Sequence, residues 1–238
     1  MARDTYLFFL LILITVLMHY FTEDFVAFFK ELAKNNHREW FHENKKRYET
    51  SIKKPFEIFV GSMIREIQQL EPNLQVEPKD CVLRINRDIR FSKDKSPYNL
   101  YYTAFISSKG RKDKSIPGIF LRFSPEMVGI MGGCFSPSKE QLHNIRATIN
   151  KSPKTFRNLL EDKDFVQKFG EIRGETMKRI PKEWQDACKK EPLIANKQFY
   201  FVGEEAPGLI SSATLIEEMM MYWQTMRPIN EYLSKAIQ

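Results

Sequence analysis

The chain has 238 residues, of which 42% are hydrophobic, including 19 Phe, 9 Tyr and 3 Trp, and this is enough apolar material for a well-packed domain. Its three cysteines and four histidines are scattered and form neither a C-x-x-C nor an H-E-x-x-H pattern, which argues against a disulfide framework and against a metal site. Reduced thiols favour a cytoplasmic protein.

The first segment of the chain is apolar. Tyr6–Met18 carries no charge, and the apolar character continues to Phe21. As a helix, residues 6–21 would be about 24 Å long, shorter than the roughly 30 Å hydrocarbon core of a bilayer. Two interpretations of residues 1–20 stay open: a short membrane anchor, or an over-extended start before a true initiator at Met18. A cleaved signal ranks third, because no small-residue cleavage site follows.

Helices are predicted next. Phe25, Phe28, Phe29 and Leu32 recur at helical spacing, a second helix is predicted around Trp40–Tyr48, and a third runs from about Lys54 to Leu70.

The middle of the chain is typical of β-structure. Four segments are rich in aromatic and β-branched residues and are separated by Pro, Gly and Ser. They are residues 81–91, 98–107, 116–123 and 127–131. Helices resume after residue 136, with a short strand at 197–202 and a helical tail from Thr214. This order predicts one α+β domain over residues 21–238, with N-terminal helices, a central and mainly antiparallel sheet of about four to five strands, and C-terminal helices.

Positive charge is concentrated between residues 84 and 114. This stretch holds nine of the 37 basic residues and three acidic ones, so it accounts for six of the seven net positive charges. Such a focused potential attracts anions, whether phosphate, carboxylate or nucleic-acid backbone. The pattern does not distinguish these ligands.

The alternation of a strand sorts the side chains of residues 81–91 onto two faces. One face is polar and consists of Arg84, Asn86, Asp88 and Arg90, preceded by Val82. The other face places Arg87 among Leu83, Ile85, Ile89 and Phe91. A guanidinium on an apolar face needs a buried carboxylate or a bound anion as its partner.

We therefore predict an anion site on this segment and on the polar turn that follows it. Its ligand-binding residues would be Arg84, Arg87, Arg90 and Lys95, and its carboxylates would be Asp88 and Asp94. The carboxylates would orient the cations, and one of them could move a proton. The alternative is a solvated face laced with weak ion pairs.

The same residues carry a family resemblance. Arg84-x-x-Arg87-Asp88-x-Arg90-Phe91-x-x-Asp94-Lys95-x-x-Tyr98 resembles the signature of a bacterial family of unknown function, DUF2461. Matching segments are Asn35-Asn36-x-Arg38-Glu39-Trp40-Phe41-x-x-Asn44-Lys45-x-x-Tyr48 and Gly174-Glu175-x-x-Lys178-Arg179-x-Pro181. The resemblance covers Phe21 to about Leu233. Lys182-Glu183-Trp184 departs from the Lys-Gly-aromatic sequence common in the family.

The resemblance implies a fold family, but it predicts no activity because none is established for the family. It also implies that three basic segments lie together, at residues 84–98, 38–45 and 178–179. If they converge, Arg38, Tyr98, Lys178 and Arg179 join the ligand-binding residues of a cationic pocket, with Glu39 and Glu175 as further carboxylates.

Three functions follow as hypotheses. The first is binding of a small phosphate- or carboxylate-bearing ligand. The second is a nucleic-acid-binding module that uses the basic strand, the Lys109–Lys114 loop and Tyr98, Tyr101 and Tyr102. The third is a structural protein without a ligand. The sequence contains no P-loop, dinucleotide fingerprint or nucleophile elbow, so it predicts no cofactor and leaves enzymatic activity open. Membrane contact is predicted only through residues 6–18.

Overall fold

The computed structural model describes residues 19–237. The apolar segment at residues 6–18 therefore lies outside the described residues. Within the described part of the chain, no helix has both the length and the apolar character needed to cross a membrane.

The N-terminal half of the fold is helical. Helices α1 (Asp24–Lys34) and α2 (Arg38–Glu43) precede a long helix that runs from Lys45 to Leu70. The long helix consists of a short α-helical turn, α3 (Lys45–Arg47), a π-helical segment (Tyr48–Lys53) and α4 (Lys54–Leu70), which has the predicted bounds. A short helix, α5 (Pro78–Cys81), follows.

Four antiparallel strands form one sheet in the order β1-β2-β3-β4. They are β1 (Tyr102–Ile106), β2 (Ile119–Phe123), β3 (Val128–Cys134) and β4 (Phe199–Glu205). Between β3 and β4 lie α6 (Lys139–Lys151), α7 (Pro153–Leu160), α8 (Lys163–Phe169) and α9 (Lys182–Lys190), and α10 (Leu215–Ala236) follows β4. Short 3₁₀ segments occur at Gly110–Lys112, Pro192–Ala195 and Pro207–Ser211. The predicted α+β architecture is confirmed.

The core lies between the N-terminal helices and one face of the sheet. Phe123 of β2 is fully buried, and its ring contacts those of Phe25 on α1 and of Phe56 and Phe59 on α4. The C-terminal part adds Phe165 and Phe169 of α8, which pack on Phe201 of β4. One cluster of buried apolar side chains extends from Phe21 to Ala236.

The predicted strand at residues 81–91 is wrong. Cys81 ends α5, whose start has Pro78 in its first turn and a capping box between Glu77 and Asp80. Beyond it the segment is irregular and makes only single bridges, of Val82 with Ala104 and of Asn86 with Tyr98. Local acceptors compete for the backbone donors: the Arg90 N–H donates to Asp88 Oδ1 at 3.3 Å, as in an Asx turn.

The predicted alternation between the two faces nevertheless persists over part of this segment. Arg84, Asn86, Asp88 and Arg90 are exposed, whereas Ile85 is buried and Arg87 is half-buried. Phe91 is the exception, because it was predicted on the apolar face and is 95% exposed.

Candidate functional site

A cleft of about 980 Å³ opens between the long helix and the basic segment. Its lining comes mainly from the long helix between Lys45 and Glu57, from residues 79–88, and from Arg111 and Lys114 at the end of the basic stretch. Phe41, Asn99 and Tyr102 complete it. A second cavity, of about 170 Å³, is lined mainly by apolar and aromatic side chains such as Phe105 and Phe120. Lys114 is the one charged residue in the lining of this second cavity, whereas nine charged residues line the larger cleft.

The long helix builds the first wall through its π-helical segment. π-helical turns are rare and occur frequently at functional sites. Here the Thr50 hydroxyl donates to the carbonyls of Lys46 at 3.0 Å and Arg47 at 3.3 Å, which competes with the regular helical pattern. Lys45, Glu49, Lys53 and Glu57 follow one another at intervals of four residues, and all four line the cleft.

Arg47 fixes this wall to α1. Its guanidinium donates to Asp24 at 2.5 Å and to Glu31 at 2.7 Å, and all three side chains are partly shielded from water. The hydrogen bond from Arg47 lowers the pKa of Asp24, and the two carboxylates raise the pKa of Arg47. The wall is therefore held independently of any ligand.

The second wall is the segment from Lys79 to Asp88, which is braced against the Gly110–Lys112 turn. Gly110 has a φ of 55°, and a Cβ at this position would lie 2.5 Å from the Asp80 carbonyl oxygen, so only glycine permits the close approach. The approach brings the Arg111 guanidinium to the Val82 carbonyl, to which it donates. Arg84, in the middle of this wall, lines the cleft.

Six basic and three acidic side chains line the cleft, so its formal charge is +3. Three of the nine charged groups have partners: Lys79 pairs with Glu77, Arg111 donates to Val82, and Asp88 pairs with Arg90. The other six make no hydrogen bond or ion pair with any residue that the structure describes. They are the cations Lys45, Lys53, Arg84 and Lys114 and the carboxylates Glu49 and Glu57.

Most of the other predicted cations lie outside the cleft, on a loop that is paired with itself. Arg87 Nη1 donates to Asp94 Oδ2 at 2.5 Å and to the Ser96 carbonyl at 3.0 Å. The ion pair explains how an arginine predicted on an apolar face is accommodated, because its partner is a carboxylate of the same loop. Lys95 Nζ donates to the Ile89 carbonyl at 3.0 Å.

Arg90 forms an exposed two-point ion pair with Asp88, at 3.0 and 2.8 Å. Its guanidinium also lies 5.8 Å from the centre of the exposed Phe91 ring. Of the predicted cations on this segment, Arg84 alone lines the cleft, and Asp88 is the one predicted carboxylate that does.

The two predicted catalytic carboxyls are ill suited to donate a proton near neutral pH. The hydrogen bond from the Arg90 side chain lowers the pKa of Asp88. The Ser96 hydroxyl and backbone N–H, followed by Arg87, lower the pKa of Asp94 to about 2. Both groups are therefore ionised and serve as acceptors at neutral pH.

The segment at residues 38–45 does lie beside the motif, as the resemblance implies. The Asn36 side chain makes two hydrogen bonds with the Tyr98 backbone, at 2.9 and 3.1 Å. The Tyr98 ring is buried and stacks on Phe41, with 4.0 Å between ring centres. Tyr98 thus joins the two segments, and Arg38 is exposed at their junction.

Lys178 and Arg179 are not brought to this site. Val82 bridges to Ala104 on β1, whereas Arg173, shortly before the Lys178–Arg179 pair, bridges to Tyr200 on β4. β1 and β4 are the two edges of the sheet, and each segment bridges to the outer side of its edge strand, so the two segments are about five strand spacings, roughly 24 Å, apart. Two of the three basic segments converge, and the third does not.

Of the helical wall, the sequence predicts only the segment that ends at Lys45, and it does not predict that Tyr48 and Tyr102 form the floor of an anion site. Tyr48 and Tyr102 lie at the floor with their hydroxyl oxygens 3.0 Å apart. The four-residue spacing of Lys45, Glu49 and Lys53 is visible in the sequence, but the same spacing is usual on solvated helix faces. The π-helical segment has no clear signature in the amino-acid sequence.

Comparison with known proteins identifies a family but brings no characterised relative. The family model described as conserved hypothetical protein, DUF2461, matches residues 24–232. No curated protein matches the chain.

Proposed function

The chain belongs to the DUF2461 family of conserved hypothetical proteins, and we propose that its cleft binds a small phosphate- or carboxylate-bearing ligand. The observation that carries the proposal is a set of four cations without a partner among residues 19–237, namely Lys45, Lys53, Arg84 and Lys114, which face a common space of about 980 Å³. Clefts for small molecules are typically 300–1,000 Å³, so a ligand of ordinary metabolite size fits.

Arg84 is the principal ligand-binding residue in this proposal. A guanidinium can make two parallel hydrogen bonds to a phosphate or a carboxylate, and such charge-assisted bonds are among the stronger ones in proteins. Lys53 on the helical wall and Lys114 add point charges. Arg87 and Lys95 act indirectly, because their bonds to Asp94 and to the Ile89 carbonyl hold the loop that follows Arg84.

The experiment is a thermal-shift screen of the full chain, followed by calorimetry on each hit. The panel contains inorganic phosphate, organic phosphates, organic acids, nucleotides and a short single-stranded oligonucleotide, at low and moderate salt. A ligand that binds only the native state raises the melting temperature, by an amount that grows with the logarithm of its concentration over its Kd. We expect a small anion to bind and Arg84→Ala to weaken it at least about tenfold, as expected for a lost charge-assisted hydrogen bond.

The matched control is Arg90→Ala, which removes an arginine of the same segment that is already paired with Asp88. Its affinity for the anion should stay within about twofold of the wild type. The proposal fails if no small anion binds, or if Arg84→Ala and Arg90→Ala behave alike.

Nucleic-acid binding is the second candidate, and one observation favours it. Phe91 is 95% exposed, next to Arg90 and Lys93, and a free aromatic face beside cations can stack a base. The tyrosines are less suitable: Tyr98 and Tyr102 are buried, and the ring of Tyr101 lies under Arg122 at 4.0 Å. A shift produced by the oligonucleotide alone, falling steeply with salt and lost in Phe91→Ala, would favour this candidate.

A further inference from the structure

The floor of the cleft carries a hydrogen-bond donor that has no acceptor within the described part of the chain. The Tyr48 hydroxyl donates to the Tyr102 hydroxyl at 3.0 Å, so Tyr102 is the acceptor in this pair. Its own O–H proton has no acceptor among residues 19–237, although the Tyr102 side chain is only 3% exposed and lines the cleft. A buried hydroxyl proton without an acceptor costs free energy, and an acceptor atom in the cleft would remove that cost.

This donor keeps its proton throughout the physiological range. Burial raises the pKa of Tyr102, and burial together with the nearby Tyr102 raises that of Tyr48. The O–H of Tyr102 is also polarised by the bond that it accepts from Tyr48, which strengthens it as a donor. The floor therefore offers a neutral hydrogen bond, in contrast to the charged groups around it.

The helical wall adds acceptors that a simple anion site would not contain. Glu49 and Glu57 line the cleft, are half-buried, and have no ion-pair or hydrogen-bond partner in the described part of the chain. Carboxylates repel an anion, so they weaken a site for inorganic phosphate alone. They accept hydrogen bonds from ligand donors such as hydroxyl groups.

We infer that the ligand is a polyhydroxylated anion, such as a sugar phosphate or a sugar acid. In this inference, which rests on the proposed anion site, Arg84 and the lysines bind the charged group, and Tyr102, Glu49 and Glu57 bind its hydroxyl groups. A ligand with an ammonium group fits less well, because Lys53 stands between the two glutamates and the cleft has an excess of cations.

The experiment compares inorganic phosphate with a panel of triose, pentose and hexose phosphates and the corresponding sugar acids, by calorimetry on the full chain. We expect at least one polyhydroxylated anion to bind at least about tenfold more tightly than inorganic phosphate. Tyr102→Phe should weaken that ligand about three- to tenfold, the effect of one net hydrogen bond, and leave phosphate binding unchanged.

Tyr48→Phe is the matched control, because it removes a phenolic hydroxyl from the adjacent ring and leaves the Tyr102 proton in place. It should cost less affinity than Tyr102→Phe. Glu57→Gln is a second test, at a half-buried position, in case Tyr102→Phe does not fold. We expect it to weaken binding of the polyhydroxylated anion but not of inorganic phosphate.

The outcomes separate this inference from the proposed function. If phosphate and every polyhydroxylated anion bind equally well, and Tyr102→Phe and Glu57→Gln change nothing, the inference is wrong while the anion site stands. If no member of the panel binds, or if Arg84→Ala does not weaken the anion that does bind, the proposed function is wrong and the inference falls with it.

Discussion

Two neighbouring basic regions of this molecule use their charge in different ways. In the loop from Arg87 to Ser96, Arg87, Arg90 and Lys95 each donate to an acceptor of the same loop. In the cleft beside it, Lys45, Lys53, Arg84 and Lys114 have no partner among the described residues. Of the four cations in the loop, only Lys93 has no partner among the described residues, whereas four of the six cations that line the cleft have none.

The difference shows why the density of positive charge does not by itself locate a binding site. Arg84 and Arg87 are three residues apart and both belong to the basic motif. Arg87 turns towards Asp94 and holds the loop, whereas Arg84 faces the long helix across the cleft. The role of each arginine depends on whether a carboxylate lies within reach of its guanidinium, and the fold determines this distance.

The largest expected effect comes from reversing a charge on the helical wall. Lys53→Glu would place a third carboxylate beside Glu49 and Glu57 and remove a cation from the cleft. We expect the affinity for the anionic ligand to fall about ten- to a hundredfold, since a favourable charge interaction is replaced by a repulsive one. Calorimetry with the anion found in the screen measures the change.

The control for this substitution is Lys93→Glu, which makes the same change of charge on the self-paired loop, at an exposed residue outside the cleft. At physiological salt, exposed charges are screened beyond roughly 8 Å, so the affinity should change by less than about twofold. Equal losses in the two variants would mean that the whole basic surface attracts the ligand and that the cleft has no special role.

A smaller effect on the affinity for the anion is expected from Arg87→Ala, which tests the self-paired loop from Arg87 to Ser96. The substitution removes the donor to Asp94 and to the Ser96 carbonyl, so the loop should open more often. Amide exchange at residues 89–96 should accelerate about tenfold, while the affinity for the anion falls by less than about threefold. A loss of binding as large as that of Arg84→Ala, without faster exchange, would make Arg87 a direct ligand-binding residue.

Much of the fold could be predicted from the sequence, because its signals are local. The α4 helix is predicted by apolar residues at helical spacing, and strands β2 and β3 by their aromatic and β-branched residues. The segment at residues 81–91 was mispredicted because Leu83, Ile85 and Ile89 alternate as in a strand. Its backbone donors are instead taken up locally, for example by Asp88.

The site was harder to predict, because its two walls are distant in sequence. Arg84 and Asp88 were found, since they belong to a motif with an unusual concentration of charge. Lys53 and Glu57 were missed, because charged residues at this spacing on a helix usually lie on its solvated surface. Tyr102 was named only as a residue that could stack a base, not as part of an anion site. Only the packing of the long helix against the basic segment turns these residues into a cleft.

The smallest expected effect is on the pH dependence of the self-paired loop, and it concerns Asp94. Its pKa in the folded protein is about 2, below its usual value of 3.8. A carboxyl with a lowered pKa stabilises the fold fully above its unfolded-state pKa, and this contribution is lost as the pH falls through the folded-state value. The loop should therefore be insensitive to pH from 7 down to about 4 and loosen between about 4 and 2.

NMR titration of the Asp94 carboxyl group measures its pKa directly. Repeating the titration with variants shows which hydrogen bond lowers that pKa. The Ser96 hydroxyl is the largest contribution to the lowered pKa, ahead of Arg87. Ser96→Ala should consequently raise the titration midpoint more than Arg87→Ala does, although Asp94 still accepts from the Ser96 backbone N–H at 2.9 Å. The reverse order would mean that the ion pair, rather than the turn formed by Asp94 and Ser96, holds the carboxylate. The loop would then depend on Arg87 more strongly than its hydrogen bonds indicate.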